Sequence, residues 1–128
     1  MRSPDPRFTL GQMRSHRKLI AWQRANALVL LVYSRDFRPT GPAAYSLFDQ
    51  LRRAVLSAQL NIAEGHASGT PANFRRMLSI AYGSAIEAGD LLEVALACEL
   101  APLEPTRRAL GLVKEVQALV LGLKHAIR

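Results

Sequence analysis

Apolar residues recur along most of the chain at the three- and four-residue steps of an α-helix, and in four segments these steps form one continuous stripe. The stripes consist of Leu19, Trp22, Ala25, Val29 and Val32; of Leu47, Leu51, Ala54, Ala58 and Ile62; of Phe74, Leu78, Ala81, Ala85, Ala88 and Leu92; and of Leu112, Val116, Leu119, Val120 and Leu123. No window alternates strictly between apolar and polar residues, as a half-buried strand would. The pattern therefore predicts an all-α chain with four amphipathic helices.

Clusters of proline and glycine separate the four stripes, and they lie at residues 37–42, 65–71 and 101–105. Pro42 and Pro71 are predicted as first helical residues, with Thr70 as the cap before Pro71 and Gly65 as a left-handed helix stop. The segments between have about 22 to 30 residues, which corresponds to helices of roughly 33–45 Å. Short connections place consecutive long helices antiparallel, so the fold class predicted is an up-down-up-down antiparallel four-helix bundle.

The bundle is expected to occupy residues 19–128, after a basic N-terminal tail over residues 1–18 whose order the sequence leaves open. Cys98 is the only cysteine, so an intrachain disulfide is excluded, and we expect it to be a small core residue. The longest apolar run, 27–32, is far shorter than the roughly 20 residues that span a bilayer. These features predict a cytoplasmic protein that does not enter the membrane.

Residues 27–32 and 118–121 are apolar all round, although a helix in one bundle core needs a single apolar face. The surplus predicts a second buried surface and hence a homo-oligomer. Two glycines within the third helix, Gly83 and Gly89, predict the close approach of a neighbouring helix, because glycine costs a helix about 1 kcal/mol relative to alanine.

The net charge of +7 is unevenly distributed. Residues 1–40 carry +6 and residues 101–128 carry +3, whereas residues 41–66 are neutral and residues 67–100 carry −2. A positive field concentrated in the first and last segments favours a polyanionic partner. Solubility alone is the other explanation for this charge.

A polar stripe also follows the second helix. Gln50, Arg53, Ser57, Asn61 and Glu64 share one face for almost four turns. Such a stripe can be a solvated surface or a hydrogen-bonded seam between helices or subunits. Ser57 and Asn61 are short and uncharged, which favours the seam.

Four motifs in this chain resemble those of a bacterial four-helix-bundle family encoded in intervening sequences of large-subunit ribosomal RNA genes. The motifs are Leu19-x-x-Trp22-Gln23, Gln50-Leu51-Arg52-Arg53-Ala54, Ser57-x-x-x-Asn61-Ile62-Ala63-Glu64-Gly65 and Phe74-x-x-x-Leu78-x-x-Ala81-x-Gly83-Ser84-x-x-Glu87. The resemblance extends from about Ile20 to Arg128, and Ala58-Gln59-Leu60 departs from it mildly. A more distant relative is the accessory protein of diversity-generating retroelements, which works with a reverse transcriptase and RNA.

The resemblance implies an up-down bundle that assembles as a ring-shaped homopentamer with a basic surface compatible with nucleic acid. Ser84 and Glu87 belong to the family motif, and we assign them to the polar seam together with Gln50, Ser57, Asn61 and Glu64. The motif does not assign this chain to a retroelement.

Sequence patterns typical of catalysis and metal binding were not found. A di-iron bundle needs Glu-x-x-His pairs, and no glutamate here has a histidine three residues later. His16, His66 and His125 lack metal-ligand spacing, so a solvated surface position is expected for each. We therefore predict no catalytic residue, metal or cofactor. A hydrolase acting through Glu64 or Glu87 is the weakest alternative.

The sequence favours a non-catalytic homo-oligomer that binds RNA or DNA through backbone phosphates, because arginine donates two hydrogen bonds to a phosphate at once. No aromatic residue is interleaved with the charges in the sequence, which argues against base stacking. The alternative is a scaffold that docks a partner enzyme such as a polymerase. The residues predicted to contact nucleic acid are Arg17, Lys18, Arg24, Arg52, Arg53, Arg75, Arg76, Arg107, Arg108 and Lys114.

Overall fold

Four α-helices make up most of residues 15–127, the part of the chain that the computed structural model describes. They are α1 (Ile20–Val32), α2 (Tyr45–Ala67), α3 (Pro71–Ala97) and α4 (Leu103–Ala126), and short 3-10 turns at His16–Lys18 and Pro42–Ala44 precede α1 and α2. Each helix packs against two others, in the closed order α1, α2, α3, α4. No strand occurs within the described residues, and the predicted up-down-up-down bundle is confirmed. Residues 1–14, most of the predicted tail, lie outside them.

The turn between α2 and α3 follows the prediction at its end but not at its beginning. The Thr70 hydroxyl accepts a hydrogen bond from the Asn73 amide (3.2 Å), and Pro71 is the first residue of α3. Gly65 does not stop α2, because the helix continues to Ala67, and the left-handed residue is Gly69, with a φ of +82°. The prediction for Gly65 was wrong because the glycine is required for packing and not for backbone conformation.

Two other helix boundaries also differ from expectation. The first helix has only 13 residues, because Leu19 is extended (φ −74°, ψ 125°) and separates α1 from the preceding 3-10 turn. Pro105 lies inside α4, where the first turn tolerates proline because its amide would have no helical partner anyway. None of the helices in residues 15–127 combines the length and apolar character needed to cross a membrane.

The core consists of two clusters at different heights in the bundle. One surrounds Phe37 and Phe48, whose rings lie 5.4 Å apart, and the other surrounds Trp22, Ile62 and Leu78. Most residues of the predicted stripes are buried, and the others are half-buried, namely Leu19, Leu47, Phe74, Leu112, Leu119 and Leu123. Because every helix contacts two neighbours, the buried faces are wider than one stripe and include residues outside the predicted set, namely Phe48, Val55, Ala109 and Val113.

Gly65 and Gly89 allow close contacts between helices. A Cβ at Gly65 would lie 2.8 Å from the Met77 Cβ on α3, and one at Gly89 would lie 3.2 Å from a methyl of Val113 on α4. Gly83 has nothing within 4 Å of the equivalent position, so the predicted close approach is correct at Gly89 and wrong at Gly83.

We expect Gly65→Ala to destabilise the protein by about 1–3 kcal/mol, because the added methyl overpacks a contact with a neighbouring Cβ that cannot rotate away. Gly83→Ala is the matched control, and it should stabilise α3 by up to about 1 kcal/mol, since the space is open. Urea unfolding of both variants measures the difference. Equal free energies of unfolding would contradict the packing role of Gly65.

Candidate nucleic-acid interface

The antiparallel fold collects basic side chains at one end of the bundle. This end, called the basic end below, consists of residues 15–24, 62–78 and 118–127, which are the start of α1, the end of α2, the start of α3 and the end of α4. Glu64 supplies the only carboxylate side chain in these ranges. The basic side chains are those of Arg17, Lys18, Arg24, Arg75, Arg76 and Lys124.

At the opposite end of the bundle, residues 33–56 and 87–112, acidic and basic side chains balance. Arg35, Arg38, Arg52, Arg53, Arg107 and Arg108 are accompanied by Asp36, Asp49, Glu87, Asp90, Glu93, Glu99 and Glu104. The ten residues predicted to contact nucleic acid therefore do not form one surface. Five of them belong to the basic end, four to the opposite end, and Lys114 lies between the two.

Two of the predicted arginines form ion pairs within the chain. Arg52 lies 3.6 Å from Asp49, and its guanidinium is also stacked over the Phe48 ring at 5.4 Å. Arg24 on α1 lies 3.4 Å from Glu115 on α4. Such exposed pairs contribute at most about 1 kcal/mol each to stability, but they reduce the positive charge that a phosphate would encounter.

At the basic end the charged and aromatic side chains are interleaved in space. The Arg17 guanidinium lies 5.0 Å from the centre of the Trp22 ring, and the His16 ring meets the same indole edge-to-face at 5.1 Å. Residues five and six positions apart along the chain meet where the 3-10 turn folds against α1, and Trp22 itself is buried there.

The side chains of Arg75 and Arg76 are held by neighbouring groups. The Arg75 guanidinium donates to the carbonyl of Ile127 (3.4 Å), and Arg76 donates to the Asn73 side chain (3.1 Å). The contact from Arg75 ties the end of α4 to the start of α3. Arg76 remains exposed at the rim of the basic end.

All three histidines lie at the basic end, and two of them are not simply solvated. The His66 ring contacts the Phe74 ring edge-to-face at 5.8 Å, and His16 packs on Trp22. Burial lowers the pKa of His66, and the nearby positive charge of His16 lowers it further. Within residues 15–127, no group of histidine, cysteine, aspartate and glutamate side chains is arranged to hold a metal ion.

A cleft of about 310 Å³ opens at the basic end between the α2–α3 turn and the end of α4. Phe74 packs directly on Gly65, where a Cβ would lie 3.0 Å from the ring, so the glycine allows the ring to form one wall. The cleft is lined by Gly65, His66, Thr70, Pro71, Phe74 and Ile127. None of these was predicted from the sequence as a binding residue, because the cleft forms only when the turn and the chain end meet.

Part of the polar stripe forms a hydrogen-bonded seam inside the chain. The Ser57 hydroxyl on α2 lies 2.8 Å from the Ser84 hydroxyl on α3, and the Asn61 amide donates to the Ser57 carbonyl (2.8 Å). The other members of the predicted seam, Gln50, Glu64 and Glu87, are exposed, as is Arg53. A further interhelical bond, from the Gln59 amide to the Asn26 side chain (2.7 Å), joins α2 to α1 and was not predicted.

The outer face of α1 and α4 retains exposed apolar surface. Leu30 is 63 % exposed, and an apolar groove of about 520 Å³ lies between Leu31 of α1 and the first half of α4. The groove is lined by Leu31, Arg108, Gly111, Leu112 and Glu115. Cys98, expected in the core, is exposed after the last turn of α3, because the helix ends there and its neighbour Glu99 turns away with a positive φ.

A protein-family model described as "23S rRNA-intervening sequence protein" matches residues 17–122 of this chain. The match begins within the 3-10 turn before α1 and ends in the last turns of α4, so it includes all four helices of the bundle. Comparison with curated proteins finds no match.

The lowered pKa of His66 predicts a loss of stability in acid. The unfolded chain binds this proton more tightly than the folded protein, so stability is complete above the usual pKa of 6.5 and is lost as the pH falls through that value. We expect the melting temperature to decrease between about pH 7.5 and pH 5.5, and His66→Gln to decrease less. Exposed His125→Gln is the control. An acid-induced decrease of the same size in His66→Gln and wild type would contradict this assignment.

Proposed function

This chain belongs to the 23S rRNA-intervening sequence protein family, and we propose that it is a non-catalytic, self-assembling bundle that binds RNA or DNA through backbone phosphates. The observation that carries the proposal is the concentration of arginine and lysine at the basic end, whose three described ranges contain Glu64 as their only acidic side chain, with Glu115 of α4 paired to Arg24 beside them. A surface of one charge sign attracts a polyanion and accelerates its association.

The side chains available at the basic end suit phosphate contact. Arg17, Lys18 and Arg76 are exposed, and the stretches that carry them, residues 15–24 and 71–78, contain no acidic side chain. A guanidinium can donate two parallel hydrogen bonds to one phosphate, and a lysine ammonium adds a mobile point charge. The family's description refers to 23S rRNA, which makes structured RNA the first ligand to test.

The exposed apolar groove between α1 and α4 supports the proposal that the protein assembles with itself, and the family resemblance suggests a ring of five copies. Cyclic symmetry gives every subunit the same orientation to the ring axis. With the bundles aligned along the ring axis, all basic ends would lie on one side of the ring, and weak phosphate contacts from five subunits would act together on one strand.

The same groove supports a second candidate function, a scaffold that docks a partner enzyme such as a polymerase. In that case Leu31 and Leu112 would contact the partner, and the charge at the basic end would serve solubility. Nucleic-acid binding that depends on the basic end separates the two candidates, because a scaffold does not need it.

We expect the triple variant Arg17→Ala, Lys18→Ala and Arg76→Ala to weaken binding to structured RNA and duplex DNA. Each lost phosphate contact lowers the slope of log affinity against log salt by roughly 0.9 on a duplex, so the slope should fall by about two to three. Fluorescence anisotropy across a salt series measures both the affinity and the slope.

The matched control removes the same charge from the opposite end, through Arg35→Ala, Arg53→Ala and Arg107→Ala, which are exposed and lie outside the lining of the groove. This variant should retain most of the affinity, because these arginines stand among the carboxylates of that end. Equal losses in both triple variants would show that only net charge matters. No binding by the wild-type protein at low salt would reject the nucleic-acid function and favour the scaffold.

If subunits associate through the groove, a residue that fills it should prevent self-assembly. Gly111 lines the groove, and a Cβ at this position meets nothing within 4 Å, so Gly111→Trp adds a large ring at the groove from an open starting point. By light scattering after gel filtration, we expect the wild-type protein to have about five times the mass of one chain and Gly111→Trp to be smaller. Gly111→Ala, which leaves the groove open, is the control and should assemble normally. Identical masses for Gly111→Trp and wild type would exclude this groove as the interface.

A further inference from the structure

The cleft at the basic end combines apolar walls with a charged rim. Its walls include the Phe74 ring, Pro71 and Ile127, and its polar side chains are those of His66 and Thr70. The volume of about 310 Å³ far exceeds the space of one water molecule, about 30 Å³, and leaves room for a planar heterocycle. The cleft therefore suits a flat organic group better than a small ion.

Contacts around the cleft give its walls a defined position. Gly65 brings the Phe74 ring against α2, and the His66 ring stands at 85° to that ring. On the side of the cleft formed by α4, the hydrogen bond from Arg75 to the Ile127 carbonyl holds Ile127 in place. Because the walls come from three separate segments that are tied together, the cleft does not have to form when a ligand arrives.

The positive charges around the cleft indicate which class of planar ligand it would bind. Arg75 borders it through its bond to Ile127, and the segment with Arg17 and Lys18 packs against α2 at the same end. An apolar peptide side chain would gain nothing from these charges, and an inorganic anion would gain nothing from the apolar walls. A nucleotide has both a planar base for the aromatic wall and a phosphate for the rim.

We propose that the cleft receives one unpaired nucleobase from a strand whose phosphates lie on the basic end. This proposal rests on the nucleic-acid function above and adds a preference for unpaired nucleotides to it. The base stacks on the Phe74 ring, and the imidazole of His66 forms a hydrogen bond with the edge of the base. If the protein contacted only phosphates, its affinity would depend on the charge density of the strand and not on whether a nucleotide is unpaired.

The test uses the full-length protein and two RNA hairpins that differ only by a single bulged nucleotide. We expect the bulged hairpin to bind about 5- to 100-fold more tightly, in line with base stacking on an aromatic side chain. A third hairpin with an abasic bulge should bind like the fully paired one. A fluorescent adenine analogue (2-aminopurine) placed in the bulge should lose emission on binding if it stacks.

Variants then locate the site. Phe74→Leu keeps apolar packing but removes the ring, so it should abolish the preference and leave affinity for the paired hairpin unchanged. Tyr45→Leu, an exposed aromatic residue at the opposite end, is the matched control and should keep the preference. If Phe74→Leu does not fold, His66→Gln tests the same wall and should reduce the preference.

The outcomes separate this proposal from the one on which it rests. Binding of both hairpins with equal affinity would overturn the cleft proposal and leave the phosphate-binding function intact. A preference that survives both Phe74→Leu and His66→Gln would likewise overturn it, because the base would bind elsewhere. Failure to bind either hairpin at low salt would overturn the phosphate-binding function and the cleft proposal together.

Discussion

The contact of α2 with α3 at Gly65 controls the geometry of the whole basic end. Without a side chain at this position, α2 approaches α3 until the Met77 Cβ and the Phe74 ring touch its backbone. The helix can then continue to Ala67 before the turn, and Gly69 reverses the chain in a conformation that few other residues adopt. The position of His66, the wall formed by Phe74 and the start of α3 all follow from this one close approach.

Antiparallel topology then decides which charges act together. The first and last segments of the sequence carry most of the positive charge, and an up-down-up-down chain returns the end of α4 to the level of the start of α1. The start of α3 meets them through the α2–α3 turn and contributes Arg75 and Arg76. The acidic residues of α3 lie further along that helix and are carried to the opposite end. A sequence that is only moderately basic overall thus has one strongly basic end.

The fold was predictable because helical periodicity and chain breaks are local properties. Thr70 and Pro71 act as predicted, and the four stripes identify the buried faces. The details that were missed depend on packing between helices. Glycine is the residue type typical of a helix stop, but the contact of Gly65 with Met77 cannot be deduced from its sequence neighbours. Cysteine is a residue type that is often buried, yet Cys98 is exposed because α3 ends one residue before it.

The candidate site was predictable in residue type but not in arrangement. Charge counts along the chain indicated arginines and lysines as candidate binding groups, and they could not separate Arg107 and Arg108 from Arg75 and Arg76. That separation requires knowing which helix ends are adjacent and where Asp90, Glu93 and Glu104 lie relative to them. The aromatic groups were missed for the same reason, because Trp22 meets Arg17 only after the 3-10 turn folds back.

The apolar groove and the basic end lie on different parts of the subunit, and this separation makes the two proposed properties compatible. The groove lies on the outer face of α1 and α4, towards the end with balanced charge. Subunits that associated through the basic end would bring like charges together and cover the cleft, which would oppose both assembly and binding. Association through the groove would leave the basic ends open apart from Arg24, whose ion-pair partner Glu115 lines the groove. The proposed self-assembly and the proposed polyanion binding would then use largely separate surfaces of each subunit.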